Sequence, residues 1–216
     1  IYIYIYYIME NLYNAYCYTL QMLLDRKYIT QEKKQQLEYN VKDFVNIINI
    51  NIAKLDITNI HTRNGQPAMV LFFNEDLKYN KTINSILELL RTRITDDIID
   101  SNYIIIVYKS TEDAAEIKFE DIYKKEKNFT YDNKAIQLFP SSYIAINIMN
   151  NIIMPKTELI TDKKEQEELL LVGKSSMNTI LLHDPVTRYY GATTGDIFKF
   201  IRKGNDGLNI SWRRVA

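Results

Sequence analysis

Few side chains in this sequence stand at spacings that could do chemistry. Glu116-Ile117-Lys118 has the acid-x-lysine spacing with which metal-dependent nucleases hold a cation and steer water. It falls in a segment whose pattern is helical rather than extended, and there it reads as a charged, solvated face. Gly173-Lys174-Ser175 imitates the tail of a phosphate-binding loop, but Glu168 stands where that loop needs its first glycine, and the segment follows a helix instead of a strand. Gly191-Ala-Thr-Thr-Gly195 precedes a strand, so no helix N-terminus is available to an anion, and the reading is a turn. His61 and His183 have no Cys or acid at metal-ligand spacing. Asp184 follows His183 directly, and adjacent residues of an extended chain point apart, which argues against a triad. Cys17, the single cysteine, lies among apolar residues of a helix; it excludes an intramolecular disulfide and fits a structural thiol in a reducing compartment. The expectation is a chain with no catalytic residue, no cofactor and no metal.

The 216 residues, 46% hydrophobic and 12% aromatic, suffice for one large domain or two modest ones. Basic and acidic residues balance at 27 each, so no overall field draws the chain to nucleic acid or a membrane. Residues 1–8 alternate Ile and Tyr without a charge, the pattern of an aggregation-prone strand. They are too short to span a bilayer and lack the basic flank of a signal peptide, and they read as a disordered appendage ahead of a start at Met9.

Helical spacing of Leu12, Tyr13, Tyr16, Cys17, Leu20, Leu23 and Leu24 predicts a helix from Glu10 to about Lys27. Thr30 caps a second helix, and helical turns follow over Val41–Ile48. Rough alternation over Ile52–Ile60, the turn Asn64-Gly-Gln-Pro67 and the run Met69–Phe73 predict a strand pair. A helix carrying Ile83, Ile86, Leu87, Leu90 and Ile94, an apolar central strand Tyr103–Tyr108, a helix over 112–125 and a strand over Ala135–Phe139 complete an α/β layer. After the break at Pro140-Ser-Ser, Tyr143–Ile153 reads as extended. Thr161 and Asp162 open an acid-rich helix closed by Gly173. Alternation over 196–202 and 208–213 about Asn205-Asp-Gly207 predicts a β-hairpin. The fold class is therefore α+β, with residues 9–142 as a first domain of mixed sheet and helices and 143–216 as a smaller β-rich one.

The segment Leu182–Lys203 resembles the signature of the fifth subunit of eukaryotic-type RNA polymerases and of its archaeal counterpart. Asp184, Pro185, Val186, Arg188, Tyr189, Gly191, Gly195, Asp196, Ile201 and Arg202 fall in register with it, and Arg213 sits where a terminal Tyr-Arg is usual. Met154-Pro-Lys156 is similar to the start of that domain, with Thr157 in place of a His, while Gly204-Asn-Asp-Gly207 replaces a longer hairpin tip. Upstream, Asp25-Arg-Lys-Tyr28 resembles that family's Asp-Arg-Gly-Tyr turn into a second helix.

The resemblance implies a non-catalytic subunit of a multisubunit DNA-dependent RNA polymerase. Its C-terminal assembly domain would anchor to the largest subunit, and its N-terminal domain would form part of the lower jaw beside downstream DNA. Its partners would be the other subunits, with no membrane and no small-molecule substrate. The family's DNA-facing loop corresponds to Lys109, Ser110 and Thr111, followed here by Glu112 and Asp113, which repel phosphate and leave DNA contact weak or indirect. Location would be nuclear in a cell, or cytoplasm, viral factory or virion for a large DNA virus, and not secreted. From Asp184 onward six basic residues face three acidic ones, a local excess of +3 suited to an acidic partner. Arg188, Arg202 and Arg213 are expected to meet its carboxylates. A free-standing transcription adaptor and, more distantly, a metal-dependent nuclease are the alternatives.

Overall fold

The computed structural model describes residues 2–76, 93, 100–109, 134–173, 177–204 and 207–216. The helices expected over 83–94, Arg93 apart, and 112–125, together with Ser110, Thr111, Glu116 and Lys118, lie outside the described residues. The chain divides into two compact units, Ile1–Ile146 and Asn147–Ala216.

The first unit begins with α1, Tyr2–Asp25. Residues 2–8 are thus part of this helix rather than a strand. Ile and Tyr are both apolar, so their alternation marks no buried face, and extending an existing helix by a turn carries no nucleation cost. Leu12, Ala15, Tyr16, Leu20 and Leu23 bury the stripe that the spacing predicts. α1 stops in a left-handed cap at Lys27, φ 62°, where the Lys27 N–H donates to Leu24 O and the Tyr28 N–H to Leu23 O, each 2.9 Å. Just before it, Arg26 is buried, donates to Gln137 Oε1 at 2.9 Å and lies over the Tyr28 and Phe139 rings.

Thr30 caps α2 (Gln31–Leu37) by accepting from the Lys33 N–H, and Asn40 caps α3 (Val41–Ile50) through the Asp43 N–H. Phe44 and Ile48, one turn apart on α3, are buried, with the Phe44 ring 5.2 Å from Tyr13 and 5.4 Å from Tyr16. The expected strand over 52–60 is shorter. Asn51 accepts from the Ala53 N–H and winds Ile52–Leu55 into a 3-10 turn, so β1 covers only Ile57–His61. This is the local side-chain competition that Asn offers against a ladder.

β1 runs antiparallel to β2 (Pro67–Asp76), which is parallel to β3 (Tyr103–Lys109), itself parallel to β4 (Ala135–Pro140), in the order β1-β2-β3-β4. Residues 68–73 and 104–108 are buried without alternation, as central strands covered on both faces require. Tyr16 of α1 packs 5.3 Å from Phe72 on one face, and the Arg93 guanidinium lies 4.3 Å from the Phe73 ring on the other. Arg93 also donates to Phe72 O at 2.7 Å and pairs with Asp56 at 3.3 Å, while Asp56 accepts the Phe72 N–H at 2.8 Å. Burial outweighs these two partners and pushes the Asp56 carboxyl up to about 6.

The stretch 143–153 is not extended as expected. α4 (Ser141–Ile144) and a 3-10 turn at Ile148–Asn150 occupy it. Asn147 accepts from the Met149 N–H and Asn151 from the Ile153 N–H, each bending the backbone locally.

Candidate interaction surface

The second unit is built on a four-stranded sheet in the order β5-β7-β8-β6, with β5 Lys156–Ile160, β6 Asn178–Ile180, β7 Ile197–Gly204 and β8 Gly207–Val215. β7 and β8 form the predicted hairpin, in register Phe198↔Arg213, Phe200↔Ser211, Ile201↔Ile210 and Gly204↔Gly207. α5 (Lys163–Gly173) opens at Asp162, whose carboxylate accepts the Glu165 N–H at 2.8 Å, so the cap is Asp162 rather than Thr161.

Between the small strand and the hairpin the motif Asp184–Asp196 does more than turn. Asp184 is the N-cap of α6 (Pro185–Tyr190): its carboxylate accepts the Val186 N–H at 2.8 Å, and Pro185 fills the first helical position, where its missing N–H costs nothing. Gly191, φ 58°, closes α6 in the left-handed region, with Gly191 N–H to Arg188 O at 3.1 Å and Ala192 N–H to Thr187 O at 3.0 Å. At Gly195, φ 99°, the N–H donates to Val215 O, and the Val215 N–H returns to Asp196 O. Asp196 also accepts from the Thr193 N–H at 2.8 Å and from its hydroxyl at 3.2 Å. These bonds tie the loop to the last strand.

One face of the sheet is the core. Phe198, Phe200, Val215 and Ile180 are buried there with Val186 and Ala192. The Tyr190 ring sits 5.5 Å from Phe198, and its hydroxyl donates to Thr157 O at 3.0 Å. Tyr189 is buried and stacks edge-on against Tyr190. Thr157, where a His is usual, is buried and donates to Pro155 O.

The motif residues therefore separate. Asp184, Pro185, Val186, Tyr189, Gly191, Gly195 and Asp196 build and pin α6 and its loop. Arg188, expected to meet a partner carboxylate, is 3% exposed, and Val186, Thr187 and Tyr189 beside it on α6 are buried as well. Arg213 shares the core face and lays its guanidinium 5.3 Å from the Phe200 ring. Of the three arginines, Arg202 is exposed. Lys109 ends β3, half-buried.

The opposite face is mixed: Ile160 and Ile197, paired on it, are buried, and it becomes exposed toward the hairpin tip. Directly paired residues project to the same side, so Lys156, Ile201 and Ile210 form one row, Glu158, Lys199 and Trp212 the next, and Lys203 and Leu208 lie toward the hairpin tip. Leu208 is 66% and Ile210 41% exposed. Glu158 contacts Lys156 at 2.7 Å and lies 4.0 Å from Lys199, and the Lys156 ammonium holds its carboxyl below the usual range. Alternation in the sequence puts Leu208, Ile210 and Trp212 on one face of β8, where the register also has them. Among the described residues no group of three His, Cys, Asp or Glu side chains is placed to hold a metal, and no helix is long and apolar enough to cross a membrane.

The family described as RNA polymerase Rpb5, C-terminal domain, matches residues 146–215, nearly the whole second unit. The archaeal DNA-directed RNA polymerase subunit Rpo5 of Archaeoglobus fulgidus is 37% identical over 73 residues, 32% of this chain and 95% of its own length. This chain belongs to the RNA polymerase subunit 5 family. The likeness to eukaryotic members extends into the first unit. The Dictyostelium discoideum subunit rpabc1 of DNA-directed RNA polymerases I, II and III is 29% identical over 202 residues, 90% of this chain and 91% of that one. The Caenorhabditis elegans subunit RPABC1 is 29% identical over 207 residues, 91% and 92% of the two chains. In this subunit 5 member the motif read from the sequence builds α6 and ties its loop to the last strand of the second unit.

Proposed function

We propose that this chain is a non-catalytic structural subunit of a multisubunit DNA-dependent RNA polymerase, held through its C-terminal unit by the largest subunit, with its N-terminal unit contributing to the lower jaw near downstream DNA. The observation that carries this reading is the similarity along nine-tenths of the chain to relatives named as polymerase subunits. The motif's role in building a rigid unit adds support, because a scaffold needs buried caps and turns rather than convergent reactive groups. Lys109 ends β3, and of the residues that follow it in sequence, proposed to lie near DNA, Glu112 and Asp113 carry charges that keep phosphate contact weak. In a cellular host the protein acts in the nucleus; in a large DNA virus it acts in the cytoplasm, viral factory or virion.

The test is purification of the tagged full chain from its host, with mass spectrometry of what accompanies it. The expected result is one copy per polymerase, present through successive columns together with the catalytic subunits. A chain that runs alone, or at a small fraction of polymerase stoichiometry, overturns the reading in favour of a free-standing adaptor.

A further inference from the structure

We infer that α2 is a detachable strap across the outer edge of the first unit's sheet, and that Lys33 is the catch that holds it there. α2 has seven residues and buries none of them, so no buried apolar face holds it. Its length does not hold it either, because isolated helices shorter than about 12–15 residues are marginal in water. Two polar ties connect it to the rest of the unit. At its end the Tyr16 hydroxyl donates to Leu37 O at 2.7 Å. From its first turn the Lys33 ammonium reaches β1, donating to Thr58 O at 3.3 Å and to Asn59 O at 2.8 Å.

β1 is the outermost strand of its sheet and is shaped for this contact. Successive carbonyls of a regular strand point to opposite edges, so one ammonium does not ordinarily meet two in a row. Between Ile57 and Ile60 the pairing with β2 shifts register, and Asn59, inside that shift, adopts φ 55°. A left-handed residue in a bulge re-aims the backbone, and here it brings the Thr58 and Asn59 carbonyls to one point. Asn is among the few residue types that visit this region routinely. A lysine ammonium, with three donors and no acceptor, suits two converging carbonyl oxygens. The lysine of a helix with no buried residue and the left-handed residue of an edge strand, 26 positions apart, are thus one device. Neutralising the ammonium or straightening the bulge frees α2 from the edge, while the buried strands β2 and β3 keep the sheet together. What is left on β1 is a pair of edge carbonyls open to other donors, the exposure that edge lysines and bulges guard against.

Hydrogen exchange of the full chain, read by mass spectrometry of peptides covering α2 and β3, tests the strap. Lys33→Gln is expected to speed exchange over Gln31–Leu37 by about tenfold or more, the effect of losing a charge-assisted hydrogen bond, with Tyr103–Lys109 unchanged. Asn59→Val should speed exchange at α2 as well, although residue 59 is not in that helix, because a β-branched side chain resists a positive φ. Asn59→Gly adopts that φ freely and should exchange as wild type. The double variant Lys33→Gln/Asn59→Val should be no faster than the faster single one, since both break the same contact. Lys34→Gln removes the same charge one residue along and pairs with Glu38 rather than with β1; it should change exchange by less than about threefold. If Lys33→Gln and Asn59→Val both leave α2 within about twofold of wild type, Lys33 is not the catch and the inference falls. Equal effects of Lys33→Gln and Lys34→Gln overturn it too, because helix charge rather than the contact with β1 is then responsible. Loss of protection in β3 along with α2 also overturns it, since the contact then supports the whole sheet and α2 is not detachable.

Discussion

Replacing Arg188 and Arg202, two arginines of one sequence motif, by glutamate separates burial from display. Arg188 is 3% exposed on α6; Arg202 stands exposed on β7. Arg188→Glu puts a carboxylate into a buried position, and a buried charge left uncompensated costs about 3–5 kcal/mol. The unit that contains it spans Asn147–Ala216, and a folded unit of that size has a total stability of about 4–10 kcal/mol. The substitution therefore consumes much or all of it. Arg202→Glu removes an exposed charge and is expected to shift stability by less than about 0.5 kcal/mol. Thermal unfolding of the full chain read by Trp212 emission reports the second unit selectively, because the tryptophan lies in β8. Arg188→Glu should lower that midpoint by about 12 °C or more, from about 4 °C per kcal/mol for a small domain. Arg188→Met, which keeps the stem and deletes the charge, should cost less than Arg188→Glu. A midpoint for Arg188→Glu within about 2 °C of wild type would refute the burial argument and return Arg188 to the surface.

Two helix ends make a matched pair. Lys27 terminates α1 at φ 62° and Gly191 terminates α6 at φ 58°; a side chain in that region costs about 1–2 kcal/mol. Lys27→Gly is expected to stabilise the first unit by about 1 kcal/mol and Gly191→Ala to destabilise the second by about the same, both measured as shifts in urea midpoint. At Asp56 the sign follows from the raised pKa. Between its unfolded value of 3.8 and about 6 the folded chain keeps a proton that the unfolded chain has lost, so this group's stabilisation is full below 3.8 and disappears as pH rises through 6. The difference in unfolding free energy between wild type and Asp56→Asn should change by about 3 kcal/mol across that window and be flat above it; a pH-independent difference would contradict the burial of the carboxyl. Asp184→Ala deletes the α6 cap and should cost about 1 kcal/mol, with Asp184→Asn restoring most of it.

Much of the local structure is legible along the chain. Thr30 as a cap, the apolar stripe of α1, the continuous apolar run of β3 and the hairpin about Asn205-Asp-Gly207 depend on periodicities and turn chemistry that neighbouring residues settle among themselves. α6 is written there too, as Asp-Pro before it and Gly after it, but six residues are too few for a periodic signal, and its termini taken alone look like turns. Residues 1–8 and 143–153 mislead because uniformly apolar runs have no contrast between faces, so the period that separates strand from helix is undefined, and Asn147 and Asn151 then decide locally. Tertiary structure alone decides which motif residues are visible to a partner. Arg188, Arg202 and Arg213 are alike as residue types, yet one is buried on α6, one is exposed and one lies over the Phe200 ring. No stretch of chain contains that information, because burial is a property of what arrives from far away in sequence.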